Sequence, residues 1–405
     1  MMNKKILLII LGVVALIAVA SIVFTQWSSL EGKSPLVTFL GGDNKNKKPE
    51  NKSVPKPDEA FCQGPVFGTM FYNGAIKRTD RQSEDHKELF TELWDYGFVA
   101  GTPDILYMQP TAGDFKFVAL DATIKWFKDN GLTYGLYHNI ITPKFRVLPQ
   151  WYIGAESQAE RRQMLENYVR AIVSHYKGIM PAYVVVNHVV NNSFNTPEYE
   201  NNYLLTGWSQ FETVKKMLEW AHEEDPVAKL IINETGTDFS DMTVADEENN
   251  QDYFNLVKEL VAAGAPLDGL GIMAHLGGYT GKMPANEDLQ GALDQYASTG
   301  VPIYVTELDL SYNFMEDPLD PQEPFEGFDN YWEYQADGYK RAFSVFNSHP
   351  DVAAVYMWGF VDSGAWREGE GLFDEQFNPK PAYFAVKDFL LQKKQCADFA
   401  FKAGI

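Results

Sequence analysis

Cysteine is nearly absent from this chain: Cys62 and Cys396 are the only two in 405 residues. That excludes a Cys-rich zinc motif and a disulfide framework of the small secreted kind. Basic charge is scarce as well, with 34 Lys and Arg against 55 Asp and Glu and a formal net charge of −21. Phosphate contacts need clustered cations, so nucleic acid is not expected as a partner; a neutral substrate suits the chain better. No Gly-rich phosphate loop follows the first strand-like run, which disfavours a doubly wound nucleotide-binding sheet. No internal repeat is visible beyond an alternation of strand and helix signals.

What is present is apolar. The chain is 45% hydrophobic and 14% aromatic, enough to bury one large core. At the N-terminus Lys4 and Lys5 precede an uncharged run from Ile6 to Phe24, long enough to span a bilayer as a helix. The run contains Ala18-Val19-Ala20 before Ser21, a small-residue pattern that signal peptidase cuts, so residues 1–27 read as either a signal peptide or a membrane anchor. Residues 28–60 read as a flexible linker, because the stretch from Gly41 to Ala60 is rich in Lys and Pro with almost nothing apolar. Either way the domain from 61 to 405 is expected outside the cytoplasm, membrane-anchored at the cell surface or secreted, where thiols oxidise.

From Phe61 onward β-branched and aromatic runs recur at residues 66–72, 98–103, 133–140, 182–189, 230–235, 269–275, 303–310 and 352–360. Amphipathic segments lie between them. The clearest has Leu165, Tyr168, Val169, Ile172, Val173 and Tyr176 on one face, opened by Ser157 with Glu160 as an expected capping box. Eight continuous apolar strands alternating with helices predict a (β/α)8 TIM barrel. In such a barrel the carboxyl ends of the strands build the site. His138 and Asn139, Asn187 and His188, Asn233 and Glu234, His275, Glu307 and Asp309, and Trp358 all fall at those ends. Any one of them alone more often caps a helix or satisfies a loop carbonyl; their gathering at one end is what points to a site.

These residues resemble glycoside hydrolase family 10, whose founding activity is endo-1,4-β-xylanase, from about Val66 to Leu391. The motif "VTELDL" (305–310) looks like the family's nucleophile strand, and "DGLGIMAHL" (268–276), "MWGFVDSGAW" (357–366) and "GLFDEQFNPKPAYFAV" (371–386) match in order and spacing. The resemblance implies a glycosidase acting on a β-1,4-linked, xylan-like polysaccharide with no cofactor and no metal, and a monomer is expected. It makes Glu307 the nucleophile of a retaining mechanism, in which two carboxyl groups stand about 5 to 5.5 Å apart. His275 and Asp309 resemble the pair that orients the nucleophile. His138, Asn187 and His275 become substrate-binding candidates. Trp358 and Trp366 would stack on sugar faces, or else pack the barrel cap.

The chain departs from the pattern where the second carboxylate belongs. After Asn187 the family has Glu; here His188 follows. Three readings stay open: His188 transfers the proton itself, Glu234 does so with His188 orienting it, or the groove binds carbohydrate without cutting it. A metal hydrolase using His138, His188, His275 and Glu307 is a more distant alternative. The family's Glu-Asn-x-x-Lys-Trp group is replaced by "PDILYMQP" (103–110), and Met273 stands where a Gln is usual. Two further expectations follow from the barrel. Its chain ends are neighbours, so Cys62 and Cys396 should form a disulfide. The loop 311–330 should overhang the groove, its Tyr312, Phe314, Phe325 and Phe328 either binding sugar or pinning the loop down.

Overall fold

A computed structural model describes residues 59–72, 80–101, 103–144, 148–190, 203–234, 244–277, 282–311 and 321–403. The expected anchor 1–27 and all but the last two residues of the expected linker lie outside the described residues. Among the described residues no helix is long and apolar enough to cross a membrane.

The strands are β1 Val66–Met70, β2 Tyr96–Phe98, β3 Thr133–Tyr134, β4 Tyr137–Ile141, β5 Ala182–Asn187, β6 Lys229–Glu234, β7 Gly269–Ile272, β8 His275–Leu276, β9 Ile303–Leu310 and β10 Val352–Met357. β3 and β4 are one barrel strand interrupted at Gly135 and Leu136, and β7 and β8 are another interrupted at Met273 and Ala274. All pairings are parallel, in the order β3-β2-β1-β10-β9-β7-β6-β5-β4, with β8 on β9. Because β4 continues the strand that β3 begins, the ring closes: this is the (β/α)8 barrel. Its strands are buried on both faces, as covered parallel strands must be.

Inside the barrel, Tyr356 of β10 spreads across β1 and the β3–β4 break. A Cβ at Gly68 would collide with its ring and one at Gly135 with its hydroxyl, so glycine at those two positions makes room for this tyrosine. Outside, the helix Gln158–His175 buries Leu165, Tyr168, Val169, Ile172 and Val173 on one stripe. Its N-terminus differs from the expected capping box. Ser157 accepts the Glu160 N–H, but the Glu160 carboxylate turns to the N–H of Glu156 instead of closing back on Ser157. The reciprocal box forms one helix later, between Ser209 and Glu212.

The second strand also departs from expectation, covering 96–98 and not 98–103. Tyr96 to Phe98 finds ladder partners on both β1 and β3, whereas Val99 is buried without continuing that ladder. Cys62 and Cys396 are joined, their Cα atoms 5.2 Å apart across 334 residues of sequence. In the loop before the helix Tyr331–Ser348, Phe325 packs on Tyr331 and Tyr334, and Phe328 on Tyr334. These two rings therefore pin the loop to its helix; Tyr312 and Phe314 lie outside the described residues.

Candidate active site

Strand register decides which polar side chains meet. Asn187 ends β5 opposite Asn233 of β6, Asn233 stands opposite Gly271 of β7, and His275 of β8 stands opposite Asp309 of β9. Glu307 and Asp309, two apart on β9, share a face. The result is a connected polar cluster at the carboxyl mouth of the barrel.

Glu307 is its centre and is almost wholly buried. One carboxylate oxygen, Oε1, takes His138 Nε2 at 3.0 Å and the Asn233 side-chain amide at 3.1 Å; the other, Oε2, takes His275 Nε2 at 3.2 Å. Asn233 also donates to Asn187 Oδ1 at 2.8 Å, and its own Oδ1 accepts the Thr306 hydroxyl at 2.7 Å. That bond fixes which end of the amide faces Glu307. Gly271 helps hold it there, because a Cβ at that position would run into the Asn233 side chain. His275 turns its second nitrogen to Asp309 Oδ2 at 2.5 Å, and Arg367 donates to Asp309 Oδ1.

The electrostatics follow from this geometry. Burial favours a neutral Glu307, but the hydrogen bonds and charges of His138 and His275 outweigh it and hold the carboxyl far below the usual range. Burial likewise opposes charge on His275, yet Asp309 and Glu307 on either side push its pKa up to about 9. The mouth therefore presents an ionised carboxylate clamped by an imidazolium. Behind His138, Asp104 caps the helix Ile105–Met108. Burial pushes its carboxyl up to about 6 against hydrogen bonds from Leu106 and Thr142 and the charge of His138.

His188 takes its place just past β5 with φ of +51°, a left-handed backbone that is uncommon for a non-glycine residue and costly enough to need support from its surroundings. The next residues supply that support. Val189 N–H bonds the Asn233 carbonyl, and Val190 N–H donates to Glu234 Oε2 at 2.6 Å. The His188 ring has its Nδ1 buried 3.8 Å from Glu234 Oε1, without a hydrogen-bond partner among the described residues. Its side chain keeps 20% of its surface exposed, while that of Glu234 has none.

Trp358 lies within 5.3 Å of the His138 ring and 6.2 Å of the His275 ring, and so walls the cluster. Trp366 is 56% exposed at the rim, its ring 4.7 Å from His275. The structure joins Glu307, His138, Asn187, Asn233, His275 and Asp309 in one cluster and pairs His188 with Glu234, whereas Asn139 turns to the Thr142 hydroxyl; it also adds several residues. His138 is turned to Glu307, a contact that strand position alone did not assign. Thr306 and Arg367 join as partners of Asn233 and Asp309. Lys144, after β4, is partly buried; burial lowers its pKa while the charges of Glu234 and Glu307 favour its cation. Nothing in the sequence pattern singled out that last residue. Among the described residues no group of three His, Cys, Asp or Glu is arranged to hold a metal ion.

The glycosyl hydrolase family 10 profile matches residues 64–389. The protein is 32% identical over 259 residues to endo-1,4-β-xylanase B of Thermotoga neapolitana, covering 61% of this chain and 67% of that one. It is 29% identical over 299 residues to the endo-1,4-β-xylanase of Geobacillus stearothermophilus, covering 69% and 84%. Xylanase 10B of Thermotoga petrophila, solved with xylobiose, superposes with a TM-score of 0.67 at 26% identity over 82% of this chain and 95% of that one. A closed barrel with its ionised carboxylate at the strand ends, matched by that profile over most of its length, places the chain in glycosyl hydrolase family 10, as a glycosidase of the endo-1,4-β-xylanase-like kind.

Proposed function

We propose that the protein hydrolyses a β-1,4-linked, xylan-type polysaccharide with retention of configuration, Glu307 acting as nucleophile and His188, backed by Glu234, as acid and base. The observation that carries this reading is the clamp on Glu307. A carboxylate held ionised by His138, Asn233 and His275 is ready to attack an anomeric carbon. As the carbon–oxygen bond to Glu307 forms, the glycosidic bond breaks and the leaving oxygen takes a proton from the His188 imidazolium. Water then attacks the glycosyl-enzyme, His188 accepts the water's proton, and Glu307 leaves as carboxylate. The Glu234 carboxylate beside Nδ1 orients the ring. Trp358 and Trp366 offer flat apolar faces to the sugars. The likeness to named xylanases supports the substrate class. The domain works outside the cytoplasm, either anchored at the cell surface or secreted; the Cys62–Cys396 bridge suits that oxidising setting.

A second reading rests on one observation, the absence of a carboxylate at position 188: the groove binds oligosaccharide and releases it uncut. Two substrates separate the readings. Xylo-oligosaccharides have alcohol leaving groups that need a proton, whereas an activated 2-fluoro aryl xyloside needs only the nucleophile and leaves a stable adduct. Cleavage of the first together with an adduct on Glu307 from the second, read by peptide mass spectrometry, is the expected result. An adduct without oligosaccharide cleavage favours the binder, and no adduct at Glu307 overturns the nucleophile assignment.

A further inference from the structure

Behind the nucleophile clamp lies a buried carboxyl group that the reaction does not use. Asp309, fully buried, is shared between His275 on Oδ2 and Arg367 on Oδ1. Arg367 is itself 1% exposed and gives the same Nη1 to the Leu276 carbonyl at 3.2 Å. Three residues on, Glu370 is wholly buried. Its Oε2 accepts the Arg367 backbone N–H at 3.0 Å, while its Oε1 lies against the backbone at Gly359 with no hydrogen-bond partner among the described residues. Among the described residues Glu370 forms no ion pair, although the neighbouring guanidinium is the nearest cation in sequence.

We propose that Glu370 is kept as a neutral carboxylic acid, and that its neutrality reserves Arg367 for Asp309, making Glu370 a positioning residue for the His275–Glu307 pair. The inference rests on the reading of Glu307 as nucleophile. Charge balance is the argument. Asp309 already engages both His275 and Arg367; a second carboxylate in the same dry volume would have no cation of its own and would compete with Asp309 for the guanidinium. The groups facing Glu370 agree with this. Asp309 of β9 is the nearest negative charge, and Tyr339 of the helix Tyr331–Ser348 donates its hydroxyl to the Glu370 backbone carbonyl, not to the carboxyl. Lys380 is committed to Asp362 and to the Gly369 carbonyl. Burial and Asp309 push the Glu370 carboxyl up to about 8, and the Arg367 N–H with the charges of His275 and Arg367 only partly offset them. As Glu370 ionises above that pH, Arg367 is drawn from Asp309, His275 loses its fixed partner, and the clamp on Glu307 loosens.

Two measurements test this on the wild type and E370Q, which keeps the shape of the neutral acid. Infrared difference spectra between pH 5 and 10 read the carbonyl stretch of a buried, protonated carboxylic acid. At pH 6 the wild type is expected to show, beside any band of Asp104, which ionises around that pH, a second band that fades only around pH 8 and is missing from E370Q. The second readout is the rate of Glu307 adduct formation by an activated 2-fluoro aryl xyloside, which needs no acid. Each rate is expressed relative to the same protein at pH 6.5. At pH 8.5 the ratio for E370Q is expected to exceed that of the wild type by about threefold or more. A wild type with no such band at pH 6, or two rate profiles that coincide, overturns the proposal. A wild type that forms no adduct on Glu307 refutes the nucleophile reading and takes the positioning role with it, while the infrared result still decides the protonation state of Glu370.

Discussion

His188 Nδ1 stands 3.8 Å from the fully buried Glu234 Oε1. The imidazole that we propose as acid and base is therefore backed by a carboxylate from the neighbouring strand. Replacing His188 by Ala should lower kcat/KM on xylo-oligosaccharides by about 10²- to 10⁴-fold, the usual worth of a general acid, while sparing aryl xylosides with acidic phenols. Glu234→Gln should fall between, because the ring remains but loses its charged partner. His188→Glu should also lose activity, since two carboxylates would share one buried site. Steady-state kinetics on both substrate classes decide this. A His188→Glu variant more active than the wild type on oligosaccharides would mean that the histidine marks a decayed enzyme.

Thr306 controls the orientation of the Asn233 amide. Thr306→Val keeps the shape but removes the only donor to Asn233 Oδ1 that the described residues supply. Leaving that oxygen buried and unsatisfied should cost about 1–3 kcal/mol, and an amide free to turn should slow adduct formation on Glu307. Denaturant unfolding and the adduct rate measure the two effects separately. A variant with unchanged stability and rate shows that Asn233 needs no such guide.

The His275–Glu307 pair sets a direction for stability against pH. His275 is raised in the fold from 6.5 to about 9, so its contribution is complete below about pH 6.5 and is lost as pH rises through 9. Glu307 is depressed, so its contribution is present above the ordinary carboxylate range and is lost as pH falls below it. Both describe one contact, counted once. Between pH 6.5 and 10 the wild type should lose on the order of 3 kcal/mol from this pair. His275→Gln should show a correspondingly flatter alkaline decline in urea unfolding, whatever its stability at pH 7. Parallel declines in the two proteins would contradict the pairing.

The Cys62–Cys396 bridge closes 334 residues of sequence. Reducing it, or replacing both cysteines by Ser, should destabilise the domain by about 2–4 kcal/mol, chiefly by freeing the unfolded chain. Adduct formation on Glu307 should be little changed, because the bridge ties the helix Glu59–Gln63, just before β1, to the helix Pro381–Ala403, away from the mouth. Thermal unfolding with and without reductant tests this; coincident curves would leave the bridge without energetic weight.

Much of this was legible in the residues themselves. The run Ile303–Leu310 announces a buried strand through its β-branched and apolar residues, and the structure gives it those same bounds. The apolar stripe from Leu165 to Val173 forms the buried face of its helix. The second strand was harder to bound, because Val99 is as apolar as a strand residue and only the ladder of β1 and β3 ends the pairing at Phe98. Glu160 does not return to Ser157 because its carboxylate takes the N–H of Glu156, one residue further back, and sequence spacing alone does not separate these two N–H groups.

The sequence alone determined the alternation of strand and helix, the order in which polar residues reach the strand ends, and the placing of Glu307 and Asp309 on one face, because periodicity is a local property of the chain. Only the tertiary structure decided that Asn233 would bridge Asn187 and Glu307, that His138 would turn to the nucleophile, and that Arg367 would stand behind Asp309. Those partners lie 46, 74 and 58 residues apart for the Asn233–Asn187, Asn233–Glu307 and Arg367–Asp309 bonds. Their meeting is fixed by the register of strands closing into a ring, which depends on packing across the whole barrel and leaves no mark in any short stretch of sequence.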